Sequence, residues 1–399
     1  MRSNIVLIAM GATLLTASAL GATTFQTLYS FTGGADGATP DGGFAFDKAG
    51  RLYGVTYAGG TISSGCPAGC GTLFSVDPTT GKETVVHSFT RTTDGNSPNG
   101  GLIADANGVI YGTAGFGGAN FSGTIFKYDP AKNIFTTLYS FANGGANPSA
   151  LALDNQGLLY GTTFDGAAKN FGTIFQFNPA TNKLTILHTF GTSRGEGVSA
   201  SGSLTFDGKG AFYGATQEFG AGNAGTIFKI IPATKTLTTL YSFTGGNDGA
   251  GPTGDMKIGA FGLLIGQTRG GGAGHQGTIF AFNPLAAKLT TLYAFTGGND
   301  GANPSGGVAF DSVGDLLGET TSGGAGKSGT IFKLNGKERL TILHAFSGGA
   351  DGANPAGGLT LDSKGKIYGA TLYGGTNTAI CAANSLSGPF GCGTVFRIP

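Results

Sequence analysis

Four cysteines, four histidines and a recurring aspartate are the residues of this 399-residue chain best suited to chemistry. Cys66 and Cys70 lie close together, as do Cys381 and Cys392. An even number of closely spaced cysteines suits disulfides formed in an oxidising compartment. Three pairings are possible, and local pairing, Cys66–Cys70 and Cys381–Cys392, is expected. No histidine stands beside them and neither spacing is the C-x2-C of zinc sites, so no metal is assigned to them. His87, His188 and His344 stand where other copies of a repeat hold Tyr29, Tyr139, Tyr241 and Tyr293. A residue that exchanges with tyrosine inside an apolar strand pattern is read as structural, because a catalytic base needs a partner within hydrogen-bond reach and the sequence indicates none. His275 alone falls off the pattern, in a glycine-rich loop, where a titrating role stays open.

Three stretches match G-x-G-x-x-G: Gly220 to Gly225, Gly272 to Gly277 and Gly324 to Gly329. A dinucleotide site needs that turn to open a helix whose N-terminus holds the pyrophosphate. Here each match opens a strand-like run. Gly191 to Gly195 matches G-x-S-x-G, but it joins two strands, whereas a nucleophile elbow leads from a strand into a helix. Asp-Gly recurs at Asp36, Asp94, Asp248, Asp300 and Asp351. With Asn303, Asn354 and nearby carbonyls these acids could serve calcium, yet one carboxylate per loop is thin for an ion that takes about six to eight oxygens. Asp-Gly as turn chemistry is the expected role. No cofactor, metal or catalytic residue is assigned.

The elements that position these residues are repeated, which is the strongest signal in the chain. G-T-(I/L/V)-F begins at Gly71, Gly123, Gly172, Gly225, Gly277, Gly329 and Gly393. L-Y-S-F and its variants begin at Leu28, Val86, Leu138, Leu187, Leu240, Leu292 and Leu343. A third run carries Gly54, Gly112, Gly161, Gly214, Gly266, Gly318 or Gly369 behind an aromatic or aliphatic residue, and a fourth ends in Asp, as Gly43 to Asp47 does. Each is short, rich in Phe, Tyr, Ile, Leu and Thr, and bounded by turn residues, which is strand chemistry. The repeat is therefore four strands over about fifty residues, as in a propeller blade. In blade order, strand A ends in Asp, strand B is L-Y-G-T-T, strand C is G-T-I-F and strand D is L-Y-S-F. A glycine at one place in every strand B points to close approach by a neighbouring group.

Register implies closure. The first repeat element is a D strand, Phe25 to Phe31, and the last is a C strand, Gly393 to Ile398. The N-terminal strand should complete the last blade, removing two free sheet edges. The expectation is a single all-β domain over residues 23–399, a seven-bladed β-propeller of four-stranded antiparallel blades. Gly supplies 77 residues, but 40% apolar content and 30 Phe are enough for a core, so the chain is read as ordered. Net charge is +1 and no basic stripe appears, which argues against nucleic acid as a partner. Residues 1–22 read as an export signal: Arg2, an apolar stretch from Ile5 to Leu20, and small residues at Ala17-Ser18-Ala19. No second apolar run is long enough to span a membrane.

The linked motifs G-T-I-F-K-x-x-P, L-Y-S-F-x-G-G-x-D-G-x-x-P-x-G-G and L-Y-G-T-T-x-x-G-G resemble the bacterial tandem repeat GloVer, named for Gloeobacter and Verrucomicrobia. The resemblance covers nearly all of residues 25–399. It implies an exported repeat protein and transfers no catalytic residue. Many members carry a C-terminal sorting anchor, whereas this sequence stops at Pro399.

Together these readings lead to an exported, monomeric, non-enzymatic binding or scaffold module, periplasmic or extracellular, for an extracellular protein or glycan. The alternative is a lyase or hydrolase with its site at the tunnel mouth, which needs acids or histidines converging there. The regular strand positions offer few acids. A purely structural surface-layer component is the third reading. The long B–C and D–A connections leave each blade at the same end, and loops on a rigid scaffold usually carry binding residues. The two cysteine-bearing B–C loops belong to neighbouring blades, so a ligand is expected near the ridge they form.

Overall fold

Short apolar runs between glycine-rich turns fold into seven four-stranded antiparallel sheets. The computed structural model describes residues 24–142, 145–167, 169–191, 195–376, Cys381 and 391–399. The segment read as an export signal lies outside these residues. Blade 1 shows the pattern: strand A is Ala38–Phe46, B is Leu52–Ala58, C is Thr72–Val76 and D is Glu83–Ser88. The innermost A strands of the other blades are Ile103–Ala104, Ala146–Leu153, Gly197–Phe206, Ala250–Ile258, Ala302–Phe310 and Ala353–Leu361. Each touches the next, and the last touches the first, so the seven close a ring around a tunnel. The chain is a seven-bladed β-propeller.

Strand A is longer than the sequence reading, starting at Ala38 instead of Gly43. Pro40 and the Gly42-Gly43 pair disguise its first half. Proline is tolerated because A is an edge strand, whose outer side needs no donor. The register shifts between Asp41 and Ala45, so the glycines sit in a bulge. The D–A connections are correspondingly short, spanning residues 31–37 in the first copy.

The predicted closure is present. The first strand, Gln26–Ser30, pairs antiparallel with the last, Thr394–Ile398, and is the fourth strand of the sheet that holds Ile367–Tyr373 and Ala353–Leu361. Phe31 N–H donates to Gly393 O at 3.0 Å. Arg397 donates to Gln26 Oε1 at 2.5 Å and, from its other amino group, to Pro78 O at 2.8 Å in blade 1.

Each seam between blades is built on one pair of phenylalanines. The residue just after each D strand meets the strand C phenylalanine of the next blade: Phe31–Phe74, Phe89–Phe126, Phe141–Phe175, Phe190–Phe228, Phe243–Phe280, Phe295–Phe332 and Phe346–Phe396. Their ring centroids lie 5.0–5.6 Å apart with steeply tilted planes, an arrangement the ring quadrupoles favour. All fourteen rings are buried. The strand B glycines make room for them. Gly54 is paired with Phe74, and the same Gly–Phe pairing holds in the other six blades. A methyl group on Gly54 would lie 2.6 Å from Phe74 Cζ. The expected close neighbour is thus the aromatic ring of the blade's own strand C.

Candidate binding face and tunnel

Tyrosine and histidine exchange in strand D because both clamp the following loop. Tyr29, Tyr241 and Tyr293 donate their hydroxyls to Asp36, Asp248 and Asp300 at 3.0, 3.0 and 3.1 Å. His87 and His344 Nε2 contact Asp94 and Asp351 at 2.9 and 3.1 Å, and His188 contacts Glu196 in the same way, so each has the carboxylate partner that the sequence did not indicate. The other donors come from the loop itself. Thr296 N–H and Oγ1 both reach Asp300, at 2.8 and 2.6 Å. Burial and the Asp300 charge push the Tyr293 hydroxyl up to about 12, so it remains a donor. Burial also holds His344 below the usual histidine range, against the pull of Asp351. Both oxygens of these aspartates are therefore engaged within their loops. Replacing Asp300 by Ala should cost about 1–3 kcal/mol, read from urea unfolding, because three donors lose a charged acceptor.

His275 proves to be part of a second pattern. It lies two residues before a strand C glycine, as do Phe121, Asn170, Asn223 and Lys327, and all five have φ between 54° and 59°. Each N–H closes a turn onto the carbonyl three residues back: Gly118, Ala167, Gly220, Gly272 or Gly324, at 3.0–3.2 Å. All five side chains are exposed. One backbone frame thus shows a Phe, two Asn, a His and a Lys on the same face. Sequence reading missed this because a non-glycine residue in the left-handed region leaves no compositional mark.

Blades 1 and 7 replace that turn with the cysteine loops. Cys66 pairs with Cys70 and Cys381 with Cys392, at Cα separations of 5.3 and 5.4 Å, the local pairing expected. Residues 377–380 and 382–390 lie outside the described residues, so the ridge is described only on its blade 1 side. There Arg91, from the loop between blades 1 and 2, stands 5.1 Å over the Phe121 ring and packs against Gly65 of the Cys66–Cys70 loop. Phe121 is 57% exposed and Ile62, in the same loop as Cys66, is 70% exposed.

The tunnel forms a cavity of about 710 Å³, lined by all seven innermost strands. Asp41, Asp255, Arg269 and Asn303 are among its polar lining. Asp255 Oδ1 accepts Ser203 N–H at 2.5 Å across the blade 4–5 seam. Glu319 lies behind the lining, fully buried, where Gly358 N–H donates to its Oε1 at 2.8 Å. Burial, with the charge of Asp41 adding to it, pushes Glu319 up to about 8. Burial likewise raises Asp41 to about 6. These acids depart from the repeat, and the scarcity expected from its regular positions overlooked them. Glu319 stands where other blades hold Val55, Thr113, Thr162, Ala215, Gln267 and Ala370, and that alignment was the signal available. Among the described residues no group of three or more His, Cys, Asp or Glu is placed to hold a metal, and no helix is long and apolar enough to cross a membrane.

No curated protein matches the chain. Among solved structures it is similar to virginiamycin B lyase from Staphylococcus aureus, at 13% identity and a TM-score of 0.61, covering 94% of this chain and 99% of that one. It is similar also to the extracellular domain of a protein described as a hybrid two-component system from B. thetaiotaomicron, at 13% identity and a TM-score of 0.60, covering 94% of this chain and 42% of that one. At such identity the likeness concerns the fold, which hosts unrelated functions. The sequence is more specific. A model of the Gloeobacter/Verrucomicrobia repeat matches residues 11–144, 60–259, 131–301 and 246–399, overlapping across almost the whole chain. With the same four-strand unit recurring through the ring, the chain belongs to the Gloeobacter/Verrucomicrobia repeat family.

Proposed function

We propose that the protein is a non-catalytic recognition module that binds an extracellular protein or glycan on the face carrying the B–C turns. The observation that carries this reading is the set of five exposed residues, Phe121, Asn170, Asn223, His275 and Lys327, on one repeated backbone frame. A constant frame with varied side chains is how a rigid scaffold presents a binding surface. The Arg91–Phe121 stack beside the Cys66–Cys70 loop extends that surface. The two disulfides suit an oxidising location outside the cytoplasm, periplasmic or extracellular. The enzyme reading gains Asp41 and Asp255 in the tunnel, but Glu319, whose carboxyl is shifted furthest, sits behind Gly306 and Gly358. A proton-transfer group must reach its substrate.

Screening the chain against a glycan array and extracellular protein fractions should identify a ligand. Phe121→Ala, His275→Ala and Lys327→Ala combined should then weaken its binding at least about tenfold, since few residues dominate an interface. Melting temperature should hardly move, because exposed turn tips contribute little to stability. Undiminished binding by the triple variant would place the ligand elsewhere, and turnover of a bound sugar or peptide would replace the reading with an enzymatic one.

A further inference from the structure

Blade 5 departs from the repeat at the end of the ring opposite the B–C turns. In the other six blades the A–B turn opens on an aspartate, as at Asp207 and Asp311, whereas blade 5 has Gly259. Just behind that turn, strands B and C set two residues opposite each other. Every other blade has a tyrosine or a lysine in the pair, as in Tyr53–Ser75, Tyr111–Lys127 and Leu317–Lys333, but blade 5 has Ile265–Ala281. An apolar cavity of about 80 Å³ lies there on the seam with blade 6, with Phe261, Ile265, Ala281, Phe310, Leu316 and Leu334 in its wall. Phe261 has φ of 60°, a left-handed backbone that disfavours a bulky side chain. Strain held at an exposed turn points to use.

The three most exposed large apolar side chains among the described residues all belong to this end: Leu285 at 96%, Phe261 at 78% and Val313 at 74%. Leu285 is in the C–D turn of blade 5, between Thr278–Asn283 and Lys288–Ala294. Val313 holds in the A–B turn of blade 6 the place that Phe261 holds in blade 5, and its neighbour Gly314 lines the cavity. The surrounding charge is positive. Over blades 4 to 6 (residues 206–211, 229–236, 255–264, 283–288, 310–316 and 333–340) this end carries eight Lys or Arg against five Asp or Glu, while the whole chain is only +1. Lys257, Lys288, Lys337 and Arg339 form no ion pair among the described residues, whereas Asp311 and Asp315 are both held by Lys333, at 2.7 and 2.9 Å. Apolar tips within a basic surround are the chemistry of a protein that lies on a membrane. Tips that stand clear of their neighbours suit a fluid phase that closes around them, whereas a protein partner would have to match each one in shape.

We propose that this end of blades 4 to 6 docks on an anionic lipid bilayer, with Phe261, Leu285 and Val313 entering the boundary between headgroups and acyl chains and the lysines facing the headgroups. The B–C face then points away from the membrane, so the proposal does not depend on the ligand read for that face.

The experiment is co-sedimentation of the full chain with vesicles of phosphatidylglycerol mixed with phosphatidylcholine, against vesicles of phosphatidylcholine alone. The chain should bind the anionic vesicles at least about tenfold more tightly than the neutral ones, and lose that preference as salt rises from about 0.1 M to about 1 M. Phe261→Gly combined with Leu285→Ser should weaken binding at least about tenfold. Its melting temperature should not fall, because glycine suits the φ of residue 261 and both side chains are exposed. Lys288→Gln with Lys337→Gln should weaken binding to the anionic vesicles alone. The proposal fails if the wild-type chain stays in the supernatant, if neutral vesicles bind it equally, or if the Phe261→Gly, Leu285→Ser variant binds like the wild type. A dimer in sedimentation velocity that Phe261→Gly abolishes, with no binding to vesicles, would give the patch to a second copy of the chain and overturn the proposal.

Discussion

A chain beginning at Thr32 should melt at least about 10 °C below one beginning at Thr24, or fail to fold. The missing strand supplies a fully buried ring, Phe31, whose truncation alone is worth about 3–5 kcal/mol. It also removes Phe25, which stacks on His344 at a centroid distance of 3.7 Å and meets Phe346 and Phe396. The ladder to Thr394–Ile398 disappears, leaving a hydrophobic edge open to other chains. With an unfolding entropy near 2 cal/mol/K per residue, a loss of about 8 kcal/mol corresponds to that shift for a domain of this size. Differential scanning calorimetry of the two chains decides it. Equal melting temperatures would mean that the last blade is stable with three strands.

Gly54→Ala should lose about 1–3 kcal/mol, a large effect for one added methyl group. Alanine normally stabilises a strand relative to glycine, so backbone entropy predicts the opposite sign. Sterics win here because the methyl would sit 2.4 Å from Phe44 Cε1 and 2.6 Å from Phe74 Cζ, and both rings are buried. Gly365→Ala offers the contrast. It has nothing within 4 Å, and only its φ of 80° resists the change. Phe74→Leu in the Gly54→Ala background should recover part of the loss in urea unfolding. A loss that Phe74→Leu leaves unrelieved would mean the ring is not the obstacle.

The fold was readable because a propeller repeats its grammar. Seven G-T-I-F runs and seven L-Y-S-F runs fix strand number, order and closure without any long-range inference. The meaning of the strand D histidines was half readable. Exchange with tyrosine showed a structural role, but the carboxylate that makes the two interchangeable lies seven or eight residues on and is recognised only once the loop folds back. The first half of strand A was hidden because Pro and Gly-Gly look like loop, and only its place at an edge makes them tolerable. The tunnel acids were hidden differently. Asp41, Asp255 and Glu319 are scattered through the sequence, and only ring closure brings the first blade against the last. The exposed tips carry no motif, because what they share is a backbone angle.

The Arg397–Gln26 contact joins residues 371 positions apart. Blades 1 to 6 can each assemble from a contiguous piece of chain as it emerges, whereas the seventh needs the first strand and the last at once. Loops of that span close slowly, because their entropy must be lost before any contact rewards it. The first strand must therefore wait unpaired until Thr394–Ile398 has been made, and the ring can lock only then. Maturation of this propeller is then timed by the arrival of Thr394–Ile398, and a chain cut short of that strand is marked by a blade that cannot be completed.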